Sequence, residues 1–263
     1  MRRWRWLTET FNWACFWATL LMVLGLNCLS PTLSQPAPIT TEQLPPAATH
    51  PLPPSLQTLA PQLATADHYF NQVTPSPAGY LLWTRFPVTV SIEKPVNLTP
   101  ASAEAERYQR WRLSIEQAIT DWQVFFPISL VPFSDSGLAD IQLFYREPPL
   151  ARQVDPNTGL VRFGRARTAQ TRYSFYRSTD ETPPRLRHRM VIEIKPGLGE
   201  ASLIATARHE LGHALGIWGH SDNPLDSLYP SQTLDTLPLS QRDLKTLLLI
   251  YQQPTRLGWP LLP

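Results

Sequence analysis

Residues 209–220 read His209-Glu210-Leu211-Gly212-His213-Ala214-Leu215-Gly216-Ile217-Trp218-Gly219-His220 and contain three of the six histidines in the chain. An α-helix turns by about 100° per residue, so His213 lies one turn along from His209 and on the same side. Two imidazoles at this spacing can bind one metal ion, and Glu210 beside them is angled towards a water next to that ion. The pattern therefore predicts a hydrolytic zinc site on a helix.

The residues around this pair favour a metal over two ordinary helix-surface histidines. On a helical wheel the two imidazoles point away from the apolar face, which is formed by Leu203, Ile204, Ala207, Leu211, Ala214 and Leu215. Two neutral histidines facing a cleft would each need a partner, and one zinc ion supplies it for both. Gly216 is expected to end the helix, because glycine adopts the left-handed conformation that reverses the chain.

The third ligand is expected to follow this helix. His220 comes four residues after Gly216 and can turn back to the ion, and imidazole suits zinc. No glutamate follows Glu210, which removes a downstream glutamate ligand. Cys15 and Cys28 are the two cysteines, so a chain that loses residues 1–30 offers no thiol. Asp222 and Asp226 remain rival third ligands.

The N-terminus predicts export. Arginines at positions 2, 3 and 5 precede a nearly continuous apolar run over 13–26, and no charge occurs between Glu9 and Glu42. This pattern is typical of a secretory signal, so residues 1–30 are interpreted as a signal peptide or, alternatively, as a retained N-terminal membrane anchor. The protein is accordingly expected to be secreted, periplasmic or anchored on the outer side of the cytoplasmic membrane.

The stretch that follows is rich in proline. Eleven prolines and two acidic residues fall within residues 31–77, without any Lys or Arg. Such a composition predicts little burial, so residues 31–78 are expected to be a disordered linker or a propeptide. A short helical patch near 56–70 is the one exception, because Leu56, Leu59, Leu63 and Ala66 recur at helical spacing.

Globular patterns begin at Gly79 and predict a domain over 79–255, followed by a C-terminal tail over 256–263. Alternating residues predict a strand within 80–92, and further strands are expected at 128–133, 140–145, 164–176 and 189–194. One helix is expected to open at Thr99-Pro100, a second to span about 200–215, and a third to begin at Ser240 with Asp243 completing a capping box. This order predicts a single α/β (α+β) domain.

The charge distribution excludes some partners. Loss of residues 1–30 removes three arginines and Glu9, leaving 20 basic and 20 acidic side chains. A neutral chain gives no reason to expect nucleic acid as a partner. Ten arginines nevertheless fall within residues 146–189 against four acids, and this run is interpreted as a solvated face or, alternatively, as a grip on an acidic substrate or cell-surface polymer.

Two motifs resemble those of matrixins, a family of metzincin zinc peptidases. The segment 209–216 followed by His220-Ser221 is similar to their H-E-x-x-H-x-x-G-x-x-H-S motif. Pro224 and the triplet 228–230 are similar to the matrixin Met-turn, and Ala139-Asp140-Ile141 also resembles a matrixin strand opening. The resemblance covers residues 79–252 and is specific within 203–230. It implies a twisted mixed sheet of about five strands, two long helices and a C-terminal helix.

The chain departs from the matrixin pattern at two positions. The motif places its third histidine at position 219, where this chain has Gly219 followed by His220; glycine can absorb the extra step as a bulge. The Met-turn methionine is Leu228, which by resemblance forms an apolar floor under the metal and is not a ligand. The inhibitory prodomain cysteine and the ligands for structural zinc and calcium have no recognisable counterparts.

The resemblance implies a zinc-dependent endopeptidase. His209, His213 and His220 would hold Zn2+, and Glu210 would be the catalytic residue that activates the water bound there. An extended polypeptide substrate would lie along an edge strand within 164–176, with Tyr229 beside it, and the protein is expected to be a monomer. The alternative is a non-catalytic, zinc-containing cell-surface binding module.

Overall fold

A computed structural model describes residues 41–133, 139–150, 152–156, 158–164, 166–231 and 237–262. The expected signal peptide or anchor over 1–30 lies outside these residues. None of the helices described is long and apolar enough to span a bilayer.

The architecture is α+β, as the sequence predicts, with a five-stranded mixed sheet and four helices. The strands are β1 Val88–Ile92, β2 Ile128–Leu130, β3 Ile141–Tyr145, β4 Arg152–Val154, β5 Val161–Phe163, β6 Ala169–Arg177 and β7 Leu186–Ile194. The helices are α1 Pro54–Leu59, α2 Ala103–Gln123, α3 Glu200–Leu215 and α4 Gln241–Tyr251.

The sheet has the order β2-β1-β3-β7-β6. Its first four strands pair in parallel, whereas β6 pairs antiparallel with β7 and forms one edge. Strands β4 and β5 form a separate antiparallel pair. The sequence does not predict β4 or β5, because each strand is only three residues long. The turn-rich residues 155–159 that link the two strands are the feature of the sequence that could indicate them.

Helix α2 packs against α3 and holds it in place. Its apolar side is buried, as the helical spacing predicts, and consists of Tyr108, Trp111, Ile115, Ala118, Ile119 and Trp122. The indole nitrogen of Trp122 donates to the carbonyl of Arg208, one residue before the first metal-site histidine, at 3.1 Å. The helix starts at Ala103 and not at Thr99, because Ser102 caps it by accepting the amide of Ala105.

The strand expected over 80–92 is shorter than predicted and begins at Val88. Residues 81–83 are buried without strand pairing, because their polar groups serve the ends of two helices. The indole nitrogen of Trp83 donates to the carbonyl of Ala214 at 2.9 Å, and the backbone amide of Trp83 donates to the hydroxyl of Tyr251. This coil therefore supports the C-terminus of α3.

The prediction of a disordered linker over 31–78 is wrong for residues 41–78, which the structure describes. Five of their side chains are at most 7% exposed and belong to the main core: Leu56, Leu63, Tyr69, Val73 and Ala78. The composition argument treated the segment as if it had to fold by itself. The segment instead buries apolar side chains against the rest of the domain.

The C-terminal tail also belongs to the domain. Leu257 and Leu261 are buried, and the amide of Gly258 donates to the carbonyl of Leu186 at 2.7 Å. The domain expected over 79–255 therefore extends in both directions, and the compact unit comprises Pro38–Pro263.

Candidate metal centre and cleft

Helix α3 presents the two histidines and ends where the sequence predicts, at Gly216. The backbone of Gly216 has φ 129°, and its amide donates to the carbonyls of Gly212 and His213. A side chain there would also collide, because a Cβ atom would lie 2.4 Å from the carbonyl oxygen of Leu81. Glycine is therefore required both by conformation and by space.

The rings of His209 and His213 are oriented by backbone carbonyls. The Nδ1 atom of His209 lies 2.9 Å from the oxygen of Ser227, and that of His213 lies 2.7 Å from the oxygen of Ile217. A carbonyl oxygen only accepts, so each ring carries its hydrogen on Nδ1 and presents a lone pair on Nε2. Histidines that bind a metal through one ring nitrogen usually donate a hydrogen bond from the other nitrogen in this way, which sets the orientation of the ring.

The two Nε2 atoms face each other at 3.1 Å. Neither has a hydrogen to donate, so the pair is repulsive unless a cation lies between them. Ligand nitrogens about 2.0–2.1 Å from a tetrahedral zinc are separated by about 3.3 Å. The donor set and its spacing therefore fit a metal ion.

His220 completes the cluster, as the sequence predicts. One ligand atom each from His209, His213 and His220 can be chosen so that all three lie within 4.8 Å of one another, and among the residues described this is the one group of three or more His, Cys, Asp or Glu with that property. The three histidines could hold a metal ion.

The rival ligands Asp222 and Asp226 are bound elsewhere. The guanidinium of Arg242 contacts both, with Nε 2.9 Å from Asp226 Oδ2 and Nη2 2.9 Å from Asp222 Oδ1. Asp226 also accepts from the hydroxyls of Ser221 and Ser240. Both carboxylates therefore stabilise the loop that follows the metal site and do not join the histidine cluster.

Desolvation favours the neutral form of the three histidines. It lowers the pKa of His209 to about 4 and that of His213 to about 3, and it lowers the pKa of His220 as well. A metal competes with protons for these nitrogens. At neutral pH the cluster is therefore ready to bind a cation.

Glu210 lies beside the cluster and is positioned by β6. The hydroxyl of Thr171 donates to Glu210 Oε2 at 2.6 Å. Burial raises the pKa of Glu210 to about 7, against the opposing hydrogen bond from Thr171 and the charge of Arg167. A carboxyl with such a pKa can accept and return a proton near neutral pH. The sequence motifs do not indicate Thr171, although alternation along β6 places it on the buried side.

An open cleft of about 1070 Å3 contains these groups. One wall is formed by residues 166–171, at the start of the edge strand β6, and another includes Tyr229 and Pro230. This agrees with the expected edge strand within 164–176 and with Tyr229 beside the site. Gln72 and Thr74, from the segment expected to be a linker, also line the cleft.

Residues 69–74 support the loop that carries His220. The amide of Thr74 donates to the carbonyl of Trp218 at 2.9 Å. A Cβ atom on Gly219 would lie 2.1 Å from the carbonyl oxygen of Gln72, so this position excludes any side chain. Gly219 therefore allows the backbone of Gln72 to lie close to the backbone next to His220. The sequence suggested a different reason for this glycine, namely a bulge.

The turn over 226–229 lies under helix α3. Leu228 is fully buried, and its Cδ2 atom lies 2.6 Å from where a Cβ of Gly212 would be. The amide of Ser227 donates to Asp243 Oδ2 at 3.0 Å while its carbonyl contacts His209. Asp243, which belongs to the capping box of α4, is thus linked to His209 through the backbone of a single residue, Ser227.

No protein-family model matches this chain, and a search of curated proteins finds no match in sequence either.

Proposed function

We propose that this protein is a zinc-dependent endopeptidase related to the matrixins. The main support is the contact between the Nε2 atoms of His209 and His213, which lie 3.1 Å apart and have no hydrogen between them. His220 belongs to the same cluster, and the cleft that these histidines line also contains Glu210. The resemblance of residues 203–230 to the metzincin motif supports the same conclusion.

In this proposal His209, His213 and His220 hold the metal. Zinc, when bound, polarises a carbonyl and lowers the pKa of water towards neutrality. Glu210 accepts the proton of the attacking water and returns it to the amine that leaves. Thr171 keeps the carboxylate of Glu210 oriented.

The proposed substrate is an extended polypeptide. Strand β6 is at the edge of the sheet, so one side of its backbone has no partner strand in the described sheet. A peptide that pairs with this edge would run along residues 166–171 and past the histidines. The groups that hold the metal and Glu210 would then face its backbone.

The alternative function is a non-catalytic, zinc-containing cell-surface binding module. A structural zinc site has no use for a buried carboxylate that is kept next to the ligands by its own hydrogen bond. The position of Glu210 therefore favours the enzyme.

Proteolysis of denatured casein by residues 38–263 tests the proposal. We expect cleavage that a chelator abolishes and that zinc restores, and loss of at least about 100-fold in rate for Glu210→Ala with zinc content unchanged. Glu200→Ala is the matched control, since this exposed glutamate on the same helix is far from the ligands in sequence. A fully folded, zinc-loaded protein without chelator-sensitive cleavage would favour the binding module.

We also propose that the protein works outside the cytoplasm as a monomer. The apolar stretch near the N-terminus supports export. Fractionation of expressing cells distinguishes a released protein from a membrane-anchored one, and sedimentation of residues 38–263 tests the monomer.

A further inference from the structure

The cleft has one cationic side chain among the residues that the structure describes. Of the described residues that line it, Arg167 is the one Lys or Arg and Glu210 the one Asp or Glu. Arg167 is exposed at the rim and makes no hydrogen bond or ion pair with any residue that the structure describes. Its charge is therefore available to a ligand.

Other arginines of the basic run over 146–189 are already engaged. Arg146 and Arg172 both bind Glu193, at 2.7 and 3.0 Å. Arg185 and Arg187 both contact the carboxylate of Glu181. Much of the run is thus a set of internal ion pairs, and Arg167 differs from these four because it faces the cleft without a partner.

Arg167 precedes β6 and lies on the same wall of the cleft. The pairing with β7 reaches Thr168, whose carbonyl accepts the amide of Lys195 at 2.8 Å, and the backbone bends at this residue. Arg167 is one residue before that bend and lines the cleft, as does every residue from 166 to 171. The next arginine along the chain, Arg172, instead contacts Glu193.

The spacing along the strand limits where a substrate side chain would meet Arg167. Four residues of chain span at most about 13 Å, and the arginine side chain shortens that distance by its own reach. A substrate residue opposite Arg167 would therefore lie within about four residues of the bond next to Glu210.

We infer that Arg167 binds an acidic side chain of the polypeptide substrate at one fixed position near the cleaved bond, an inference that rests on the proposed endopeptidase function. An ion pair at an exposed rim is worth about 1 kcal/mol at most, which corresponds to about fivefold in kcat/KM. The effect is a preference among sequences and leaves the hydrolysis itself to the metal centre.

Cleavage of a peptide library tests this inference. Residues 38–263, loaded with zinc, are incubated with peptides from a chymotrypsin-digested denatured proteome, which keep Asp, Glu, Lys and Arg at internal positions, and the cleaved bonds are identified by mass spectrometry. We expect enrichment of Asp and Glu at one position within four residues of the cleaved bond. Arg167→Gln should remove the enrichment, and Arg167→Glu should replace it with enrichment of Lys and Arg at the same position.

Arg177→Glu is the matched control. Arg177 is at the other end of β6, is also exposed, and makes no ion pair within the described residues. We expect this variant to keep the acidic enrichment of the parent protein. The preference should also weaken in 0.5 M salt, where the Debye length falls to a few ångströms, about 4 Å.

The outcomes separate the two proposals. Chelator-sensitive cleavage without an acidic preference, or with a preference that Arg167→Glu retains, would overturn the role of Arg167 and leave the endopeptidase intact. Absence of any cleavage by the zinc-loaded parent would overturn the endopeptidase function, and the role of Arg167 would fall with it. Equal zinc content and equal Tm in all variants ensure that folding does not explain a difference.

Discussion

Helix α3 and residues 41–78 contribute to the metal centre in different ways. The helix presents His209 and His213 through its own periodicity, and nearby carbonyls orient both rings. Residues 41–78 supply no ligand, but Gln72 lies against Gly219 and the amide of Thr74 holds the carbonyl of Trp218. Two of the three candidate ligands therefore depend on local structure, while the loop that carries the third depends on a segment distant in sequence.

Removal of residues 41–78 should have the largest effect on the stability of the protein. The segment buries Leu56, Leu63, Tyr69 and Val73, and each such side chain stabilises a fold by about 1.5–3 kcal/mol. The sum equals or exceeds the net stability of many domains, about 5–15 kcal/mol. We expect a chain that begins at Gly79 to show no cooperative thermal unfolding, whereas one that begins at Pro38 unfolds in a single transition.

Circular dichroism in the near ultraviolet during heating provides the measurement. If the chain that begins at Gly79 had the same Tm and the same zinc affinity as the chain that begins at Pro38, residues 41–78 would not be needed for folding or for metal binding. The sequence-based division at residue 79 would then be correct.

Gly219→Ala should affect the junction of the two regions directly. The new methyl group would lie 2.1 Å from the carbonyl oxygen of Gln72, so one of the two backbones must move. We expect a loss of stability of about 3 kcal/mol. Displacement of the loop that supports His220 should also weaken zinc binding about 10- to 100-fold, as changes around the ligands of a metal site do.

A competition titration against a zinc-binding dye measures the second effect. Gly199→Ala is the control, because nothing lies within 4 Å of its Cβ position and its φ of −64° suits alanine. Equal zinc affinities for the two variants would show that the contact with Gln72 does not support the metal site.

The sequence predicted the parts of the fold that depend on local patterns. The helix over 200–215, its end at Gly216 and the capping box of Ser240 and Asp243 were all confirmed, because periodicity and caps depend on neighbouring residues. The segment 41–78 was misjudged, since its composition says nothing about the surface that it covers. The observed ends of the strands differ from the predicted ones because the partner strands, which the local sequence does not reveal, decide where pairing begins.

Tyr69→Phe should have a smaller effect that isolates one contact between the regions. The hydroxyl of Tyr69 donates to Asp243 Oδ1 at 2.6 Å in a buried position, and the same carboxylate accepts the amide of Ser227. Loss of a buried hydrogen bond to a charged group costs about 2 kcal/mol. We expect that decrease in the free energy of unfolding, measured by urea denaturation.

Tyr145→Phe is the matched control for this substitution. The hydroxyl of Tyr145 donates to Glu104 at 2.7 Å in an exposed position, so its loss should change stability by less than about 0.5 kcal/mol. Similar losses for both variants would mean that the contact between Tyr69 and Asp243 gains nothing from burial.

The histidine cluster of the candidate site was predictable from the sequence, but the groups that support it were not. The spacing of His209 and His213 follows from helix geometry, and His220 was chosen over two aspartates by chemistry alone. The structure explains that choice through Arg242, which engages both aspartates. The hydroxyl of Thr171 and the carbonyl of Ser227 were not found, because they come from other elements and only the fold brings them to the site.

Leu228→Met should have the smallest effect, and it tests whether residue 228 supports the site without binding the metal. Leu228 is buried against Gly212, and methionine has nearly the same volume with more freedom to adapt. We expect a change in stability of less than about 1.5 kcal/mol and unchanged zinc affinity, measured by thermal unfolding and dye competition. Leu228→Ala, by contrast, leaves a cavity under α3 and should cost about 2–5 kcal/mol. If the methionine variant instead bound zinc much more tightly, the sulfur would interact with the metal, and residue 228 would be more than an apolar support.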